Sequence, residues 1–84
     1  MKTSAITVTT TATLLIAADN QNRVCYLHSG TGSTYVGGSD VTAATGIHLS
    51  NGTTMEIVVP INQTVYGITS ASTHTMRVLT PDID

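Results

Sequence analysis

Residues 23–49 read RVCYLHSGTGSTYVGGSDVTAATGIHL, and this stretch decides the fold class. It contains a strand-like run, a Gly-rich turn at 30–32, a short run that ends at Gly37 and Gly38, a polar loop, and Gly46 before another strand-like run. Few of its side chains can carry out chemistry, whereas its glycines and β-branched residues favour turns and extended backbone. The stretch therefore predicts short β-strands joined by turns.

The rest of the chain continues this pattern. Residues 4–10 alternate Ile6 and Val8 with threonines, which indicates a strand with one polar face. Further strands are expected at residues 13–17, 23–29, 34–36, 47–49, 54–59, 64–69 and 75–79. Short strands at a regular spacing predict an all-β domain over residues 1–84, a small antiparallel β-sandwich or jelly-roll-like barrel of about seven or eight strands.

Three turns are expected to close β-hairpins. They lie at residues 30–32, at Asn51-Gly52 and at residues 70–74, and Asn-Gly is the strongest tight-hairpin signal of the chain. Gly46 is expected to take a positive φ, and residues 39–45 are expected to form an exposed loop. The acidic end at 81–84 is expected to fray or to dock on a neighbour.

The amino-acid composition limits the stability that the isolated chain can reach and the classes of partner that it can bind. The chain of 84 residues has one cysteine, no Phe and no Trp, so its core is thin and no internal disulfide can form. Extra stability is therefore expected from association with other chains. The chain has 3 Lys and Arg residues and 5 Asp and Glu residues. Three cations are too few to form the basic patch that nucleic-acid binding requires.

No membrane segment and no signal peptide are expected. The longest apolar run near the N-terminus, residues 14–18, is far shorter than a bilayer-spanning helix, and threonines fill the position of a signal-peptide core.

Catalytic, metal and cofactor sites are also not expected. Cys25 and His28 lie three apart on one strand and so face opposite sides, while His48 and His74 lie in separate segments. The same geometry argues against a Cys–His nucleophile, and no other signature of an enzyme is present. Gly37 and Gly38 lack the lysine and the helix that a phosphate-binding loop needs.

The three tyrosines are the only aromatic residues. Tyr26 and Tyr66 are expected at the rim of the core. For Tyr35, which lies beside the loop, a place in the core and a contact with a partner are equally expected.

Several short motifs resemble small β-domain virion proteins of tailed bacteriophages. They are Arg23-Val24, residues 35–39 (YVGGS), residues 41–43 (VTA), Gly46, residues 65–68 (VYGI) and Val78-Leu79. This resemblance implies a non-enzymatic structural protein, foremost a capsid decoration or cement protein on the virion surface. Its implied partners are the major capsid protein and copies of itself, as a homotrimer, and its assembly would take place in the host bacterial cytoplasm.

Two alternatives stay open, namely a tail or head-fibre component and a carbohydrate- or receptor-binding β-module. The main partner contact is expected on the loop at 35–46 and on the N-terminal strand at 4–10, because long ordered loops often bind and a polar strand with few charges can pair with another sheet. The expected contact residues are Tyr35, Gly37, Gly38, Asp40, Val41, Ile6 and Val8.

Overall fold

A computed structural model describes residues 1–81 of the chain as eight β-strands. The strands are β1 (Lys2–Val8), β2 (Thr13–Ile16), β3 (Arg23–Ser29), β4 (Thr34–Gly37), β5 (Ile47–Leu49), β6 (Thr54–Val59), β7 (Val65–Ile68) and β8 (His74–Thr80). Every strand contains threonine, valine or isoleucine, in agreement with the preference of these residues for extended backbone. The described residues contain no helix long and apolar enough to cross a membrane.

The strands form two four-stranded sheets. Sheet A has the order β1-β8-β3-β6, and sheet B has the order β2-β7-β4-β5. Every neighbouring pair in both sheets is antiparallel. The predicted all-β class and strand number are confirmed, and the architecture is a small sandwich of two antiparallel sheets.

The core lies between the inner faces of the two sheets. Along β3, Cys25 and Leu27 are fully buried, whereas Val24 and Tyr26 point outward and are exposed. The predicted division of this strand into two faces is therefore confirmed, although the expectation that Tyr26 lies at the core rim is wrong. The fully buried hydrophobic side chains, each less than 2% exposed, are Val8, Cys25, Leu27, Val36, Val59 and Met76.

The three predicted hairpins are wrong. β3 pairs with β6 and β8 in sheet A, whereas β4 belongs to sheet B. The same separation holds for β5 and β6 around Asn51-Gly52 and for β7 and β8 around residues 70–74. Each turn reverses the chain but carries it across the sandwich, so the strands it joins pack face to face instead of sharing a ladder.

The two ends of the sandwich differ. One end holds the tight connections at 9–12, 30–33, 50–53 and 69–73. The other, here called the loop end, holds the start of β1 and the connections at 17–22, 38–46 and 60–64, of which the first two are the longest between the described strands. The acidic end was predicted over 81–84, and its residues 82–84 lie outside the described residues.

Candidate functional site

Arg23 fixes two of the loops at the loop end. Its guanidinium Nη1 donates to the carbonyl oxygen of Ala17 at 2.8 Å, and Nη2 donates to that of Gln63 at 3.4 Å. The side chain is only 8% exposed. Because one planar guanidinium bonds to carbonyls of two different loops, Arg23 ties the β2–β3 loop to the β6–β7 loop.

Two further contacts join the same loops. The backbone N–H of Ile61 donates to Asn22 Oδ1 at 2.8 Å, and that of Asn62 donates to the carbonyl of Asp19, also at 2.8 Å. Asn62 has a positive φ of 63°, which asparagine tolerates better than most residues. The loops at 17–22 and 60–64 therefore form one hydrogen-bonded unit.

The third loop, at 38–46, is held against sheet B by Val41. This side chain is 6% exposed although it lies apart from the main core cluster. A Cβ added to Gly37 would lie 2.8 Å from Val41 Cγ2, and a Cβ added to Gly46 would lie 2.9 Å from the same atom. Only residues without a side chain fit at these two positions, so Gly37 and Gly46 make room for Val41.

This arrangement corrects the expectation for Gly46. Among the described glycines, Gly52 alone has a positive φ, at 82°, so Gly46 is not required for a left-handed backbone. Its Cβ would lie 2.7 Å from the Cβ of Tyr35, well inside van der Waals contact. Close packing is therefore the reason for glycine at this position.

A threonine pair orders the tip of the same loop. The hydroxyls of Thr42 and Thr45 lie 2.9 Å apart, and each also accepts a hydrogen bond from the backbone N–H of the other residue, at 3.1 and 3.2 Å. The N–H of Gly46 donates to the carbonyl of Thr42 at 2.8 Å. The loop is therefore held by hydrogen bonds among its own residues as well as by the packing of Val41.

Tyr35 and His48 lie at the root of this loop. They face each other across β4 and β5, and their rings stack with centroids 5.0 Å apart. Tyr35 is half-buried and His48 is exposed. One face of the Tyr35 ring is thus covered from within the chain, which leaves less of it for stacking on a sugar.

The seven residues expected to bind a partner do not share one surface. Gly38 and Asp40 are exposed on the loop, while Tyr35 and Gly37 are half-buried beneath it. Ile6 is half-buried on β1. Val8 and Val41 are 0% and 6% exposed, so their side chains serve packing within this chain and offer no contact to a partner.

Cys25 and the histidines are dispersed. Burial raises the pKa of the Cys25 thiol, and the nearby Arg23 charge partly opposes this shift. His28 Nδ1 lies 3.0 Å from the hydroxyl of Thr54, and His74 Nδ1 lies 2.8 Å from the carbonyl of Ser33. Within the part of the chain that the structure describes, no three His, Cys, Asp or Glu side chains form a metal-binding group.

The edges of the two sheets differ in regularity. In sheet A the edge strands β1 and β6 have 7 and 6 residues in unbroken register with their neighbours. In sheet B the edge strand β5 has 3 residues, and β2 has 4 residues with a register shift between Leu14 and Ile16. Short or bulged edges resist pairing with other strands, so sheet A has the more pairing-competent edges.

An apolar groove opens beside one of these edges. It lies between β6 and the β4–β5 edge of sheet B and has a volume of about 450 Å³. Ile47 and Val58 line it and are 62% and 64% exposed. The groove was not predictable from the sequence, because the topology rather than local alternation decides which sheet edges lie side by side.

A solved chain of Bacillus endospore appendages, described as a novel family of disulfide-linked pili, is similar to this structure. The TM-score is 0.63 and the sequence identity is 21%, over 99% of this chain and 85% of that chain. At this identity the likeness establishes the fold alone. No protein-family model matches the sequence, and no curated protein matches it.

Proposed function

We propose that this chain is a non-enzymatic structural subunit that polymerises with copies of itself, with β6 of one copy pairing beside β1 of the next. The observation that carries this proposal is the pair of regular edge strands in sheet A, whose outer edges pair with no other strand among residues 1–81. Their outward N–H and C=O groups are a template for another strand. Pairing between sheets in this way supplies main-chain hydrogen bonds without specialised side chains.

The strand directions suit head-to-tail growth. Sheet A has four strands that alternate in direction, so β1 and β6 run in opposite directions. A copy shifted sideways without inversion would therefore place its β1 antiparallel to β6 of the first copy. Such a heterologous contact leaves a free edge at each end and so generates an open polymer.

Two further observations support an assembled state. The thin core leaves a small domain with limited stability of its own, and burial of the exposed Val58 beside a neighbouring strand would add apolar area. The solved neighbour is a subunit of pili that are endospore appendages, and it shares this fold. On the basis of this shared fold, we propose that the polymer of this chain is likewise an exposed, appendage-like structure.

The proposed polymer is held together without disulfides. The one cysteine of the chain, Cys25, is 0% exposed in the core, so it offers no sulfur to a neighbouring subunit. This differs from the disulfide-linked pili of the neighbour. Assemblies of this chain should therefore withstand a reducing agent.

A phage capsid decoration protein is the second candidate. The loop at 38–46, which contains two of the six phage-like motifs and part of a third, would present Asp40 and Gly38 as an exposed surface to a major capsid protein. In that case the chain would form a closed homotrimer on a virion. A tail or head-fibre component and a carbohydrate-binding module are less favoured, the latter because His48 covers part of Tyr35.

Light scattering and negative-stain electron microscopy of the purified chain, with and without reducing agent, separate these candidates. We expect filaments whose mass grows with concentration and which persist in reducing agent. Closed trimers would overturn the polymer proposal in favour of the decoration protein. Monomers at every concentration, or filaments that dissolve on reduction, would contradict the edge-pairing mechanism.

A further inference from the structure

A second cavity lies at the loop end, on the side of β1 and β2, with a volume of about 200 Å³. Its walls carry three charged residues, Lys2, Asp19 and Arg23, together with the hydroxyl residues Ser4 and Thr80. Two positive charges and one negative charge therefore surround a small space. The local net charge is positive by one unit, in a chain whose overall net charge is -2.

Arg23 is the buried charge of this wall. Its side chain is more than nine-tenths buried, and the acceptors that the described residues supply to it are the neutral carbonyls of Ala17 and Gln63. Its Nε–H is buried with no acceptor among residues 1–81. A guanidinium has five N–H donors, and the two hydrogen bonds that residues 1–81 supply do not include the buried Nε–H.

An unpaired buried charge is costly, and a buried cation is ordinarily matched by an anion. A carboxylate fits a guanidinium better than a spherical anion does, because its two oxygens match the planar fork of N–H donors. One carboxylate would also neutralise the single excess positive charge of the cavity. Ser4 and Thr80, two residues with hydroxyl groups that can donate, line the same cavity.

We propose that this cavity is a carboxylate-binding site centred on Arg23, with Lys2 as the second cation. The site belongs to a single chain and does not depend on polymerisation. Two sources could supply the carboxylate. One is an acidic side chain of this sequence, for which Asp82 and Asp84 follow directly after the cavity residues Thr80 and Pro81, and the other is a carboxylate from outside the chain.

Nitrogen-15 NMR of the two arginine Nε–H groups tests the proposal, because the chain contains only Arg23 and Arg77. Arg77 is exposed on the outer face of sheet A and serves as an internal control. Sodium acetate is titrated at constant ionic strength, with sodium chloride as the reference salt. The wild type and the double variant Asp82→Asn with Asp84→Asn are compared at a dilution that keeps the chain monomeric.

A saturable acetate shift of the Arg23 signal in the wild type, with Arg77 unmoved, supports a site open to external carboxylates. A response only in the double variant supports the site and assigns its occupancy to the acidic residues 82 and 84. The proposal is overturned if, in both proteins, acetate shifts the Arg23 signal no more than it shifts the Arg77 signal. None of these outcomes depends on filament formation, so the polymer proposal stands or fails separately.

Discussion

The ring of His48 stacks on the ring of Tyr35, with centroids 5.0 Å apart and planes inclined by 21°. The pair joins the edge strand β5 to β4 at the point where the loop at 38–46 leaves the sheet. Since only three residues of β5 pair with β4, the stacked rings add a side-chain contact to a short ladder. The loop is thus fixed at its root by aromatic stacking and along its length by Val41.

Tyr35→Ala should therefore lower the free energy of unfolding by about 1–3 kcal/mol, because it removes the stack and part of the packing beneath Gly46. Tyr35→Phe keeps the ring and should stay within about 0.5 kcal/mol of the wild type. Urea denaturation of both variants checks this difference. Equal stability of the two variants would show that the stack contributes nothing measurable.

The glycines around Val41 give a sharper test of the loop. Gly46→Ala would place a Cβ 2.7 Å from Tyr35 Cβ and 3.1 Å from the carbonyl of Thr42, so it should destabilise by about 1–3 kcal/mol. Gly38→Ala is the matched control, since its Cβ would meet only Asp40 Oδ1 at 3.4 Å. Thermal melting compares the two. A neutral Gly46→Ala would mean that the loop relaxes freely.

Strand positions were predictable from the sequence because alternation is a local property. Residues 54–59 alternate around Met55, Ile57 and Val59, and these side chains do face inward. Strand pairing was not predictable in the same way. Asn51-Gly52 does form a turn, with Gly52 at a φ of 82°, yet turn chemistry reports only that the chain reverses. Whether the next strand extends the sheet or crosses to the other sheet depends on burial of both inner faces.

The burial of some residues at the loop end was predictable from the sequence. Arg23 precedes Cys25 by two residues and shares its face, so the same alternation that placed Cys25 inside contained the signal for a buried arginine. Val41 offered a weaker signal, as the one large aliphatic residue of a polar loop. Its burial depends on Gly37 and Gly46, which lie four and five residues from it and meet its side chain only when the loop folds back on itself.

Arg23→Lys should destabilise the fold by about 1–3 kcal/mol, because a single ammonium group cannot reproduce the bonds to the carbonyls of Ala17 and Gln63. Arg77→Lys changes the same residue type at an exposed position and should stay within about 0.5 kcal/mol. Chemical denaturation measures both. If Arg23→Lys proves as mild as Arg77→Lys, the link between the two loops is not a stabilising one.

Burial of Cys25 predicts a loss of stability at alkaline pH. Since desolvation raises the folded-state pKa above the ordinary value of 9.0, the native chain binds more protons than the unfolded chain once the pH exceeds that value. This contribution is complete below the unfolded pKa and is lost as the pH rises through the folded pKa. Cys25→Ala should flatten the decline in the free energy of unfolding above pH 9.0, measured against the wild type. Parallel declines in the two proteins would mean that Cys25 does not titrate differently on unfolding.

Polymerisation through the edges of sheet A predicts a difference between two lysine substitutions on the same sheet face. Val58 on the edge strand β6 and Val24 on the central strand β3 are cross-strand neighbours, and they are 64% and 41% exposed. A lysine on an edge strand opposes pairing, because a neighbouring strand would have to desolvate its charge. Val58→Lys should therefore weaken assembly by at least about tenfold, while Val24→Lys, with the same charge one strand inward, should weaken it much less.

The assembly of the two lysine variants is compared through the critical concentration for filament formation, measured by light scattering. Thermal melting verifies that both variants fold. Truncation of residues 1–10 is a poorer test, because it would remove the fully buried Val8 and with it part of the core. Equal assembly of Val58→Lys and wild type would exclude β6 as the growing edge. Equal weakening by both lysines would instead indicate that subunits contact each other through the face of sheet A, since a face contact buries both positions alike.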